Sequence, residues 1–236
     1  MTSYYRRYLR GDREAVWAEL RALGPVPDAL VEDAAAVADE TMIRVAQHVA
    51  RIAAALPELG WVPADPLVPP HEPPDDDALV DALTEKIGGL PLALDACLRR
   101  VGQVWFAGDC PVLDLTYHSE PAPRSLPPGP EFPDPLCLGN AYSLAYEWEQ
   151  CEDPADFAFP IAPDELGKAN LDGGDHSVAL PSDLADPPLL GVAGKPGATL
   201  VEYLRDSVRW GGFAGWSLHP DLAPHALITL RADPDF

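Results

Sequence analysis

The sequence predicts an α+β fold: an antiparallel sheet flanked by helices, with an N-terminal helical extension. Three features lead there. Apolar residues recur at helical spacing over roughly the first hundred positions. Beyond Gly102 the period shortens, and short strand-like runs are separated by turn residues. Helices, then strands, then one closing helix is the order of an α+β domain. A parallel nucleotide-binding sheet would alternate strand with helix, and no Gly-x-Gly-x-x-Gly follows a strand here.

Asp12 suits a helix N-cap, Glu14 its first turn and Gly24 its stop, with Val16, Trp17, Leu20 and Leu23 between them at helical spacing. From Asp28 to Leu56 a longer helix carries one stripe of Val37, Thr41, Val45, Val49, Ile52 and Leu56. Glu32, Asp33, Glu40, Arg44 and Arg51 mostly occupy its other faces. Gly60 and Pro63 close this unit, so residues 1–62 form the helical extension. Residues 63–77 are a charged, proline-rich connector, a semi-rigid spacer. The α+β domain then occupies 78–236.

A helix starts at the Asp75–Asp77 cluster, where acids complement its dipole, and runs to Gly88–Gly89. Pro91 opens another, with Leu92, Leu94, Leu98 and Val101 as its apolar positions. Short strands are expected at 104–107 and 112–115, an extended loop at 119–135 with its seven prolines, and a helix from Tyr142 to Gln150. Further strands are expected at 157–161, 167–171 and 176–180, the last two joined by a tight turn at Asp172-Gly173-Gly174-Asp175. A closing helix over 197–210 buries Leu200, Val201, Leu204 and Val208, and 225–231 supplies a last strand.

The 236 residues, 47% of them hydrophobic, suffice for a sizeable core. No apolar run approaches the roughly 18 residues of a membrane span. The first residues lack the apolar stretch of a secretory signal, so a cytoplasmic location is expected. Four cysteines are scattered without a Cys-x-x-Cys pair; Cys97 and Cys137, among apolar neighbours, are expected as small buried hydrophobes. The net charge of −22 is unevenly placed: residues 1–70 hold 10 acids and 7 bases, residues 71–236 hold 28 and 9. Such a field repels nucleic acid and anionic membranes and attracts basic proteins, although solubility alone also accounts for it.

Catalytic patterns are absent. There is no Gly-x-Ser-x-Gly elbow, no His-x-x-x-His or His-Glu-x-x-His pair and no P-loop. Asp172, Asp175 and His176 bring oxygen and nitrogen ligands close together and define an alternative, a metal-assisted hydrolase; a tight turn explains the same residues. More suggestive is the stretch around Glu147, Trp148, Glu149, Glu152, Asp153 and Asp156, where five acids surround one tryptophan. An aromatic anchor ringed by charge suits a patch that docks a basic protein, whereas a tryptophan packed inward would leave only a solvated helix end. Trp210-Gly211-Gly212-Phe213 is expected to cap the closing helix and pack it on the sheet; an exposed aromatic grip with Trp216 is the alternative.

Three blocks taken together resemble a known family. Leu90-Pro91 with Leu94, Leu98 and then Gly102-Gln103-Val104-Trp105-Phe106 is the first. Pro160-Ile161-Ala162-Pro163-Asp164, followed by Gly167, Asp172 and Gly173, is the second, and Leu200-Val201-Glu202-Tyr203-Leu204 ending in Arg209-Trp210-Gly211-Gly212-Phe213 is the third. Their order over residues 75–230 resembles the SUKH superfamily, the Smi/Knr-like cell-wall-assembly-regulator domains, in an uncharacterised bacterial branch. The resemblance implies helices around an antiparallel sheet and a non-enzymatic binding role, since bacterial members are commonly immunity proteins that neutralise toxins, often basic nucleases. It carries over no catalytic, cofactor or metal residue. The long proline-rich loops and the N-terminal helices depart from the common family form. A regulatory scaffold is a further alternative, and nothing in the sequence sets the oligomeric state.

Overall fold

The computed structural model describes residues 3–118, 133–192 and 194–236, so most of the loop expected over 119–135 lies outside the described residues. Within them the chain is α+β, with small antiparallel sheets and helices at its N-terminal end. α1 (Tyr4–Leu9), α2 (Arg13–Ala22) and α3 (Asp28–Ala55) come first. The Asp33 carboxylate of α3 accepts hydrogen bonds from Ser3 Oγ at 2.5 Å and Tyr4 N at 2.6 Å, which ties the start of α1 to it. Asp12 does not cap α2: its side chain is drawn instead to Arg7, at 2.6 Å.

The α3 stripe is buried throughout, as its spacing predicts: Val37, Thr41, Val45, Val49, Ile52 and Leu56 are all fully inaccessible. Thr41, the polar member, is satisfied by Trp17 Nε1, the Tyr8 hydroxyl and the Val37 carbonyl. α3 packs against α5 (Leu92–Arg100) and reaches α7 (Leu200–Arg209), so the helical segment and the later elements share one buried cluster.

The residues expected as a connector contribute strands. β1 (Val62–Pro63) pairs with β4 (Gly108–Asp109), and β2 (His71–Glu72) pairs with β3 (Gln103–Trp105), itself paired with β5 (Cys137–Leu138). Gly102 permits this. It has φ +74°, and a Cβ there would lie 2.4 Å from the Glu72 carbonyl oxygen, so a side chain would push the β2 segment away. α4 (Asp77–Ile87) follows β2 with Asp76 as its N-cap, accepting from Leu79 N at 2.9 Å, and Gly88 closes it in the left-handed region.

β6 (Ala158–Pro163) and β7 (Asp175–Ala179) form the third sheet, antiparallel, with an irregularity between Pro160 and Ala162. Three expected strands are instead 3-10 turns: Pro111–Leu113, Gly167–Ala169 and His225–Thr229. Their cause is local. Pro111 and Pro224 set the entry to two of them, and Asp114 and Asn170 at φ 57° and 59° turn the chain out of extended geometry. The tight turn expected at 172–175 is therefore one part of a longer β6–β7 connection.

Cys97 and Cys137 are buried, and burial pushes their thiols up to about 12 and about 11. Trp210, Phe213 and Trp216 are also buried, which settles the Trp210–Phe213 block as packing. Among the described residues no helix is long and apolar enough to cross a membrane.

Candidate functional site

α6 (Ala141–Gln150) is capped by Asn140, whose side chain accepts from Ser143 N at 3.0 Å. Ala141, Leu144, Ala145 and Trp148 follow helical spacing and face the core, where Trp148 meets Phe157 edge-on at 5.0 Å. Trp148 is thus a packing residue and not a free anchor. The opposite face carries Tyr142 and Tyr146, one turn apart and 54% and 62% exposed. These tyrosines were not singled out by sequence, although the stripe that buries Trp148 places them outward.

Acids follow them closely in the chain. Glu149, Glu152, Asp153 and Asp156 are exposed and Glu147 is half-buried; Asp153 also caps its own short turn through Ala155 N. α4 packs beside α6, and Lys86 lies 3.8 Å from Glu149. The Tyr142 hydroxyl donates to Asp76 at 3.3 Å. The negative charge of Asp75, then of Asp76, holds that phenol above its ordinary value. Next to Tyr142 is a cleft of about 110 Å³ lined by Glu72, Asp75, Asp76, Gln103 and Asn140. Three carboxylates, two amides and a phenol ring make a seat for a guanidinium or ammonium group, through ion pairs and the ring face.

Asp172, Asp175 and His176 do not converge. Asp175 and His176 are adjacent in β7 and project to opposite sides; both aspartates are exposed while His176 is 1% exposed. Among the described residues no three His, Cys, Asp or Glu side chains are grouped to hold a metal. Asp172, Asp175 and His176 therefore do not form one set of metal ligands.

His176 belongs to a different group. Asp164 fixes the β6–β7 connection: its Oδ1 accepts from Leu166 N and Gly167 N, and its Oδ2 from Gly174 N. This fold places Lys168 inside the protein, fully buried. Its ammonium donates to Asp134 Oδ1 and, at 2.8 Å, to the Tyr203 hydroxyl of α7. Burial alone would lower the ammonium, but Asp134 outweighs it and holds the group above its ordinary value. Burial likewise pushes Asp134 up, and the Lys168 charge, helped by the neighbouring His176, overcomes this to leave the carboxyl at about 2. The pair is ionised.

His176 stands beside it, edge-on to Tyr203 at 5.5 Å. Its Nδ1 lies 3.2 Å from the Gly191 carbonyl oxygen, which can only accept, so Nδ1 carries the proton. Gly191 is required there: a Cβ would lie 2.1 Å from the Asp175 carbonyl oxygen. Nε2 is 3.8 Å from Asp134 Oδ1, beyond hydrogen-bond reach, and has no partner among the described residues. A buried polar atom without a partner costs about 1–3 kcal/mol. Neither Lys168 nor Asp134 is marked by any sequence motif, since 34 residues separate them.

No protein-family model, curated protein or solved structure matches this chain.

Proposed function

We propose that this chain is a non-enzymatic, cytoplasmic, SUKH-like protein that binds a basic protein through the α4–α6 face. A nuclease-type toxin that it neutralises is the partner class we favour. The observation that carries the reading is the pair of exposed tyrosines, Tyr142 and Tyr146, set among carboxylates beside a cleft lined by Glu72, Asp75 and Asp76. Exposed aromatics are common anchors of interfaces, and the acids supply complementarity toward a basic surface.

The overall charge of −22 favours the same partner. Opposite fields accelerate encounter, and a substrate-mimicking acidic face is well suited to a protein that normally grips phosphates. The order of the three blocks supports the family reading: α5 opened by Leu90-Pro91 and followed by β3, then the β6–β7 hairpin, then α7 running into Trp210-Gly211-Gly212-Phe213.

The test is direct. The purified chain is immobilised and exposed to each basic protein encoded beside it. One is expected to be retained, with an association rate that falls steeply as salt rises. Replacing both Tyr142 and Tyr146 by serine is expected to weaken retention about ten-fold or more while leaving thermal stability unchanged. Retention of none of them, or indifference to the double substitution, rules the face out.

A further inference from the structure

The buried His176 opens onto a second cleft, which shares no lining residue with the α4–α6 face. Its cavity is about 20 Å³, bounded by Asp134, Glu165, His176, Lys195 and Tyr203 together with Val192, Ala198 and Leu218. With Nδ1 committed to the Gly191 carbonyl, Nε2 is the ring atom left without a hydrogen-bond partner, and an occupant that donates there satisfies it.

Charge narrows the donor. Asp134 is matched by Lys168. Lys195 is matched by Asp206 at 2.5 Å and also donates to Ser217 at 2.7 Å. Arg209, beside Asp206 at 2.9 Å, is not among the residues that line the cleft. Glu165, half-buried in the wall, has no ion pair among the described residues, which leaves the lining with one unmatched negative charge. Val192, Ala198, Ala214 and Leu218 supply the aliphatic part of the wall.

We propose that this cleft binds the ammonium head of a primary alkylamine, which donates one N–H to His176 Nε2, is neutralised by Glu165, and lays its first methylenes against Val192, Ala198 and Leu218. The volume admits the head group and little more, so selectivity falls on the –NH3+ end. Two sources carry that chemistry: a free alkylamine, and a lysine side chain presented by a peptide. The binding is independent of the α4–α6 face and stands or falls separately.

The probe is the histidine-15N-labelled full-length chain, with the His176 Nε2 resonance followed during titration with butylammonium chloride. A millimolar or tighter saturable shift is expected. Tetramethylammonium, a cation without N–H, and acetate, an anion, are expected to leave the resonance in place. Glu165→Gln, at a half-exposed position, is expected to weaken butylammonium binding about ten-fold with an unchanged melting temperature. A short peptide with a central lysine that binds as well as butylammonium assigns the cleft to a protein partner; binding by the free amine alone assigns it to a small molecule. No shift with any amine, an equal shift with tetramethylammonium or acetate, or an unweakened Glu165→Gln overturns the proposal.

Discussion

Asp186 shows how strongly a single buried carboxylate can couple stability to pH. It lies between α2 and α7, receiving Arg21 Nη1 at 3.3 Å and Val201 N at 3.4 Å, and is 3% exposed. Burial dominates over these donors and pushes its carboxyl from 3.8 up to about 6. Between those two values the folded chain holds a proton that the unfolded chain has released. Stability therefore falls as pH rises through this window, by roughly 3 kcal/mol in all. We expect Asp186→Asn to raise the melting temperature at pH 7 and to flatten the stability curve between pH 3.8 and about 6, as measured by urea denaturation across pH. Arg21 also pairs with Glu202 at 3.1 Å, a partner that the substitution does not remove. Asp134 works in the opposite sense and lower down: with its carboxyl at about 2, the contribution it makes above 3.8 disappears only as pH falls through about 2. Neither shift is legible in sequence, because both come from depth of burial and from partners distant along the chain.

At the scale of elements, what could be read was what local spacing controls. The α3 stripe, the Asp76 cap of α4 and the glycine stops all depend on residues within one or two turns. α6 is the expected helix, and of the two readings of Trp148 the inward-packed one holds. The acids drew attention to Trp148, while Ala141, Leu144, Ala145 and Trp148 already spell out the buried stripe and turn Tyr142 and Tyr146 to solvent. The segment 167–171 was expected as a strand and is a turn because Asp164 reaches forward to Gly167 N and across to Gly174 N. Asp164→Ala removes the acceptor of three N–H groups at once. We expect it to cost about 2 kcal/mol in urea unfolding and to displace backbone resonances chiefly over residues 164–176. Since this connection positions Lys168, the buried ion pair with Asp134 is expected to loosen in the same variant.

For the whole molecule, α3 is the element that decides cooperativity. Its buried side reaches α5 and α7, and Ile52 lies where a Cβ on Gly212 would meet it, at 3.3 Å, next to the Phe106 ring. Residues 78–236 alone would expose that surface, so we expect them to lack a cooperative thermal transition, whereas the full chain melts in one step when followed by circular dichroism and tryptophan fluorescence. The sequence by itself determined the α+β class, the helical faces, the acidic field and the absence of catalytic motifs, since these follow from composition and from periods of a few residues. Only the tertiary structure decided the rest. It brought Asp134, Lys168, His176 and Tyr203 together from a loop, a turn, a strand and a helix, and it separated His176 from Asp172 and Asp175. Polar groups far apart in the chain carry no spacing signal. Their meeting is set by how the apolar faces pack, and burial then fixes which of them are charged.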